Sequence, residues 1–381
     1  MKGKVLKIVG IIIGILILIL LLAGPILTRI GVETFCISGE LPDLQFGPCI
    51  DQAVTNPTVT PYPFPTIASG DPIPIIFDDD GSPDGIIALL YFLRNPLFDV
   101  RAVTVSQGEA HPQLFAQHIV QLLAGFGRED IPVGYGRGTP LEGNNAFPEP
   151  WREASDRFFE IPLSEFPTAS KPRPATELII ETITTSTNPV MVFISGPHTN
   201  LAEALRIDPD IRENILGVYI MGGSIYVPGN IESDWPEIRN SVAEWNIWVD
   251  PQAAREVFIT GMPLHLIPID ATNRITWTKA DAETWKSSAI PESIMAGEFL
   301  YWMLRSWSLD AAYIWDLVAA VAATDPRLCP EVQLALDVNI DPGPDQGQTI
   351  LTDGPANVWV CLEPNPGQIR ARVESILGKG P

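Results

Sequence analysis

The sequence predicts an α/β domain with a mostly parallel central sheet flanked by helices, preceded by an N-terminal transmembrane helix. Three observations predict it: short, uniformly apolar runs, amphipathic stretches that alternate with them, and one charge-free segment near the start. The alternation is the rhythm of βαβ units. Strands apolar on both faces belong in a sheet that helices cover on both sides.

The elements follow in order. IPIIF from Ile73 reads as a strand, followed by the helix-like IIALLYFL, the strand VRAVTV, a helix from about Gln113 to Ala124, and the strand IPVGYG. The pattern resumes with a helix near Thr176 to Thr185, the strand VMVFI, a helix beginning near Thr199, LGVYIM and, after another helix, PLHLIPI. There is no internal repeat, and the domain spans residues 73–377. Ligands of such sheets sit beyond the C-terminal strand ends, so chemistry is sought in the loops that follow each run.

Ahead of the domain, Ile8 to Thr28 carry no charge and are mostly Ile and Leu, and ~20 such residues cross a bilayer as a helix. Lys2, Lys4 and Lys7 precede this anchor and only Arg29 follows closely. The positive-inside bias therefore makes residues 1–7 a cytoplasmic tail and the domain extracytoplasmic. A cleaved signal peptide is the alternative, but the run is long for one and LLLAGPILTR lacks a small-x-small cleavage site. Residues 29–72 form a juxtamembrane segment and a linker, whose Pro/Thr-rich text from Asp51 to Pro72 suits an extended spacer.

Cys36, Cys49, Cys329 and Cys361 make an even count in an oxidising setting. Local pairing, Cys36 with Cys49 and Cys329 with Cys361, is one of three connectivities, and buried free thiols are the alternative. No CxxC or Cys/His cluster suggests zinc. A net charge of −22, from 46 acidic against 24 basic residues, repels phosphate backbones and argues against a nucleic-acid partner.

The first strand ends in FDDDGSPDG, placing Asp78, Asp79, Asp80 and Asp84 together, with Ser82 and Pro83 as N-cap and first residue of the next helix. Mutual repulsion among these carboxylates is relieved by a hard, oxygen-seeking cation such as Ca²⁺. The alternative is a solvated acidic turn that favours the helix N-terminus. Further polar clusters follow apolar runs: SGPHTN from Ser195, MGG from Met221, AEWN from Ala243 and IWD ending at Asp316.

In order and spacing, the opening strand with its Asp-rich loop, VMVFISGPHTNLAEAL, and GVYIMGG followed by SVAEWNIWVDPQAA resemble the inosine-uridine nucleoside hydrolase family. The resemblance covers roughly Ile73 to Leu377. It implies a nucleoside hydrolase-like α/β fold that binds one Ca²⁺ and hydrolyses the N-glycosidic bond of ribonucleosides. The family's opening motif, DxDPGxDD, puts its first Asp on Asp78, its metal-binding general base on Asp80 and its ribose-contacting Asp on Asp84. Its fourth Asp, a metal ligand, falls on Gly85, which has no side chain to coordinate.

By the same resemblance the metal also takes the Ser195 carbonyl and Asp316, with Asp78 or Glu109 as stand-ins for the missing ligand. An exposed loop glutamate is the plainer reading of Glu109. Glu244 and Asn246 match the family's ribose-holding pair. A further ribose-side asparagine falls on Asn230 or Asn240, which an insertion from Ile231 to Arg239 separates. The family's Gly-Asn after the second strand is replaced in SQGEAH, and its His-Asp pair is Trp315–Asp316.

Trp315 is expected to line the pocket, whereas the other tryptophans default to core packing. An indole cannot transfer a proton near neutrality. His198 and His111 are the histidines placed to face the pocket instead, and His118 and His265 read as structural.

The implied reaction is hydrolysis of ribonucleosides to ribose and free base by a Ca²⁺-activated water, without an organic cofactor. Gly85 and Trp315 support two alternatives: a tethered nucleoside- or sugar-binding protein of little activity, and a hydrolase of another riboside. The partner is a small nucleoside or riboside. The sequence leaves the base and the oligomeric state open, a homo-oligomer included.

Overall fold

The computed structural model describes residues 35–38, 45–48, 70–163 and 170–378, and the chain divides into two units, residues 1–57 and 58–381. In the first, Phe35–Ser38 and Gln45–Pro48 pair as an antiparallel ribbon. The expected anchor at residues 8–28, the Asp51 to Pro72 linker apart from its end, and the Cys36–Cys49 pairing lie outside the described residues. Among the described residues no helix is long and apolar enough to cross a membrane.

The second unit is built on a nine-stranded sheet. Its strands in chain order are β1 (Ile73–Asp79), β2 (Phe98–Val105), β3 (Val133–Tyr135), β4 (Arg173–Pro174), β5 (Val190–Ile194), β6 (Ile215–Met221), β7 (Leu264–Ile267), β8 (Glu331–Leu334) and β9 (Val358–Cys361). They lie in the spatial order β8-β9-β7-β6-β5-β1-β2-β3-β4. All neighbours are parallel except β8 against β9. From β1 the chain steps outward through β2, β3 and β4, then returns to lay β5 on the other side of β1. This reversal is a topological switch point, where an open α/β sheet leaves a crevice for ligands.

Period-two alternation along β1 divides the core. Ile73, Ile75 and Phe77 join one apolar cluster with helices α1 (Pro83–Arg94), α2 (Pro112–Gly125), α7 (Pro291–Ser306), α8 (Trp315–Ala322) and α9 (Pro366–Leu377), while Ile76 joins the other. That second face is covered by α3 (Ala175–Thr185), α4 (Thr199–Ile207) and α6 (Pro251–Phe258), α5 being the short Trp245–Val249 helix before α6. The doubly covered parallel sheet is thus as the apolar runs predicted. Phe77 and Phe193 stack at 5.4 Å across β1 and β5, with the Phe92 edge at 5.0 Å from Phe193, which fixes the two strands flanking the switch point against α1.

Sequence reading missed β4, β8 and β9. The edge strands β4 and β8 need no two-sided apolar run, and Glu331, Val332 and Gln333 of β8 are partly or fully open to solvent, while β9 lies inside the sheet and is only four residues long. A disulfide joins Cys329 to Cys361 with Cα atoms 5.6 Å apart. It ties the start of β8 to the end of β9.

Candidate active site

The acidic loop leaves the sheet at the switch point and is held there by backbone bonds from both neighbours. Ser195 N donates to Asp78 O (2.9 Å), Ser106 N to Asp79 O (2.7 Å) and Ala110 N to Asp80 O (2.8 Å). The loop after β5 presses so closely that a Cβ on Gly196 would stand 2.6 Å from the Asp80 Cβ. Ser82 caps α1, its Oγ accepting from Gly85 N at 2.9 Å, so the positive end of the helix dipole faces the acids.

Asp78 points to the face opposite Asp79, as alternation requires. Its Oδ1 accepts from Thr104 Oγ1 (2.6 Å) and Asn200 Nδ2 (2.7 Å), and burial pushes its carboxyl up to about 7. Through Oδ1 it buttresses β2 and α4, while its Oδ2 is buried without a partner.

Asp79, Asp80, Asp84, Glu109 and Asp316 form the acidic group proper, and all are buried. Asp79 Oδ1 accepts from Gly81 N (2.9 Å) and its Oδ2 from Ser195 Oγ (2.9 Å). Asp80 Oδ2 accepts only a long bond from Glu109 N (3.3 Å), and its Oδ1 is buried without a partner. Asp316, in the first turn of α8, accepts from Ser82 Oγ (3.0 Å) and donates its N–H to Asp84 Oδ2 (3.2 Å).

Burial first, then the neighbouring carboxylates, hold Asp80, Glu109 and Asp316 well above the usual carboxylate range. Burial also raises Asp79 to about 7 and Asp84 to about 6. Glu109 is only 9% exposed, so the exposed loop glutamate read from sequence is a member of the cluster instead.

The donors are hard oxygens, and the unpartnered Asp80 oxygen among like charges marks where positive charge is wanted, so the residues fit a hard cation such as Ca²⁺. As the side chains stand, no group of three or more His, Cys, Asp or Glu among the described residues converges into a closed metal site.

The ribose-side residues lie at the same sheet end, beyond β6. Glu244 caps α5, accepting from Gly223 N (2.9 Å), Asn246 N (3.0 Å) and Ile247 N (3.3 Å), and burial pushes its carboxyl up to about 7. Asn246 Nδ2 donates to Met221 O at 3.1 Å, which leaves its side-chain oxygen for a ligand.

The two candidate asparagines separate clearly. Asn240 donates to Gln346 O (2.8 Å) and accepts from Val242 N (3.2 Å) and Ala243 N (2.9 Å), so it is spent on the loop. Asn230 has a buried side-chain oxygen with no partner. Asn240 is corrected to a structural role, and Asn230 is the asparagine with an oxygen to offer.

The leaving-group side differs from expectation. Trp315 Nε1 donates to Asn273 Oδ1 at 2.7 Å, and its ring tilts against Tyr313. His198 is 0% exposed, its ring set edge-on to Phe258 with neither nitrogen bonded, and burial alone lowers its pKa to about 3. A ring that stays neutral has no imidazolium proton to give, and its place against Phe258 puts His198 in the core and not in the expected pocket. His111 Nδ1 is paired with Asp156 Oδ2 (2.6 Å), His118 Nε2 meets Asp156 O (2.9 Å), and His265 Nδ1 meets Glu331 Oε2 (2.9 Å). Trp151, Trp235 and Trp245 pack with Phe147 in a satellite apolar cluster.

Known proteins resemble this chain in sequence and in fold. A sequence profile described as inosine-uridine preferring nucleoside hydrolase matches residues 75–371. The chain is 30% identical over 306 residues to the pyrimidine-specific ribonucleoside hydrolase RihA of Citrobacter koseri, covering 76% of this chain and 93% of that one. It is 30% identical over 302 residues to the protein of the same name in Escherichia coli O1:K1, covering 76% and 94%. A plant nucleoside hydrolase structure aligns with a TM-score of 0.70 at 26% identity, over 81% of this chain and 100% of that one. The purine-preferring ribonucleoside hydrolase from Gardnerella vaginalis aligns with a TM-score of 0.71 at 20% identity, over 80% and 98%. At that identity the likeness is one of fold.

Proposed function

From the premise that this chain belongs to the inosine-uridine preferring nucleoside hydrolase family, and so is an N-ribosyl hydrolase, we propose that it cleaves ribonucleosides at the acidic cluster with Asp80 as general base. Ca²⁺ would be held by Asp80, Asp316 and the Ser195 carbonyl. The observation that carries this reading is the buried, unpartnered Asp80 Oδ1 within a group of buried acids at the switch point. When bound, the cation supplies Lewis acidity and offsets the charge that otherwise keeps these acids protonated.

Asp80 accepts the proton of the water that attacks C1′. The C1′–N bond breaks, its electron pair leaving with the base, and positive charge develops on the ribose ring. Asp80, Asp84, Asp316 and Glu244 stabilise that charge in a site screened from water. Glu244, Asn246 and Asn230 orient the sugar hydroxyls through side-chain oxygens. The RihA relatives are named pyrimidine-specific, which makes pyrimidine nucleosides the first substrates to try.

One observation favours a second reading, hydrolysis of ribosides with better leaving groups: the Trp315 N–H is already committed to Asn273. A ribose-release assay over a panel of nucleosides, before and after chelation, tests the proposal. Activity should vanish with the chelator and return with Ca²⁺, and Asp80→Asn should lower kcat by ~10²–10⁴-fold. A nucleoside that binds without turnover would favour the tethered binding protein instead.

The domain is further proposed to face the extracytoplasmic side on an uncleaved N-terminal anchor. Its support is the charge bias of Lys2, Lys4 and Lys7 and the Cys329–Cys361 disulfide, a bond that persists in oxidising compartments.

A further inference from the structure

We propose that Asp79, at the end of β1, supplies the cation-site carboxylate that Gly85 cannot, so that the ligand has moved from helix to strand. This inference rests on the Ca²⁺ reading above. A Cβ built on Gly85 would clash with Asp79 Oδ2, standing 2.6 Å from its Cγ and 2.8 Å from Ser82 Oγ. The space into which a side chain at 85 would extend is therefore filled by the Asp79 carboxylate. One carboxylate fits there, from position 79 or from position 85, and not both.

Asp79 is also held beside the other donors. Its Oδ2 accepts from the hydroxyl of Ser195 at 2.9 Å, the residue whose carbonyl is assigned to the cation, and its Oδ1 is fixed by Gly81 N at 2.9 Å. The unpartnered Asp80 Oδ1, buried in the same group, independently points to a missing cation. The rival stand-ins fit less well: Asp78 spends Oδ1 on Thr104 and Asn200 and keeps an unpartnered Oδ2, but neither it nor Glu109 is what a Cβ at Gly85 would meet.

Calorimetric titration of the full chain with Ca²⁺, paired with Ca²⁺-dependent thermal shifts, tests the assignment. Asp79→Asn keeps an acceptor for Gly81 N but removes the charge, and should weaken Ca²⁺ binding at least ~10-fold, since ligand charge tunes such sites over decades. The exchange Asp79→Gly with Gly85→Asp should restore affinity to within a few-fold of the parent, whereas Gly85→Asp alone should not raise it. Unchanged affinity in Asp79→Asn overturns the role of Asp79 while leaving the Ca²⁺ site standing. A parent chain that binds no Ca²⁺ overturns both. If Asp79→Asn does not fold, the double exchange decides, because a folded double variant without Ca²⁺ binding also overturns the inference.

Discussion

At the scale of single residues, the two groups expected beside the leaving group, Trp315 and His198, have no ready proton to give. The Trp315 N–H is bonded to Asn273, and His198, at about 3, is neutral under any working condition. A purine or pyrimidine must then depart with more negative charge, while a 4-nitrophenyl riboside departs unaided. The unmodified protein should cleave the aryl riboside much faster than inosine or uridine. Trp315→His should narrow that ratio by placing an imidazole with a pKa near ~6.5 beside Asp316. Equal rates on both substrate types in the unmodified protein would show that another group already donates the proton.

At the scale of elements, two asparagines on either side of residues 231–239 divide the labour of the loop after β6. Asn240 makes three hydrogen bonds that hold this loop to itself and to Gln346. Asn240→Ala should cost roughly 1–3 kcal/mol in urea unfolding. Asn230→Ala should leave unfolding nearly unchanged and raise KM for the nucleoside, and the reverse pattern would exchange the two roles. The β8–β9 edge presents a similar case, because the disulfide closes a separation of 32 residues around it. Replacing Cys329 and Cys361 by Ser should cost about 3–4 kcal/mol on a chain-entropy estimate, read from denaturant midpoints without reductant.

At the scale of the whole molecule, the buried acids couple stability to pH. Asp78, Asp79 and Glu244 are raised to about 7 and Asp84 to about 6, all chiefly by burial. The folded chain therefore binds more protons than the unfolded one between their ordinary values and about 7. The stability these groups contribute is fully present below the unfolded values and is lost as pH rises through the folded ones. In EDTA the Tm should fall between pH 5 and pH 8, and Ca²⁺ should remove most of that fall by stabilising the ionised cluster. A flat or rising Tm in EDTA would contradict the protonated cluster. On intact cells, added protease should release a fragment of nearly the whole domain by cutting within the Pro/Thr-rich spacer. Release only after lysis would reverse the proposed topology.

What the sequence determined by itself is what local pattern encodes. Uniformly apolar runs such as VMVFI can only be satisfied inside a doubly covered sheet, and FDDDGSPDG sets its acids at a strand end ahead of a capped helix. The family's spacing likewise named Asp80, Asp84, Ser195, Glu244, Asn246 and Asp316 as candidates, all of which lie on loops or first helical turns beyond the C-terminal strand ends because backbone order fixes which loops share that end. Tertiary structure decided the rest, where the answer depends on what faces a residue from elsewhere in the chain. Asn230 and Asn240 were indistinguishable until Gln346 and Ala243 claimed one of them. His198 looked like a pocket residue until its ring lay beside Phe258. Gly85 reads as a lost ligand from spacing alone, and only the fold shows the Asp79 carboxylate packed against it, a contact between strand and helix that residue spacing does not express.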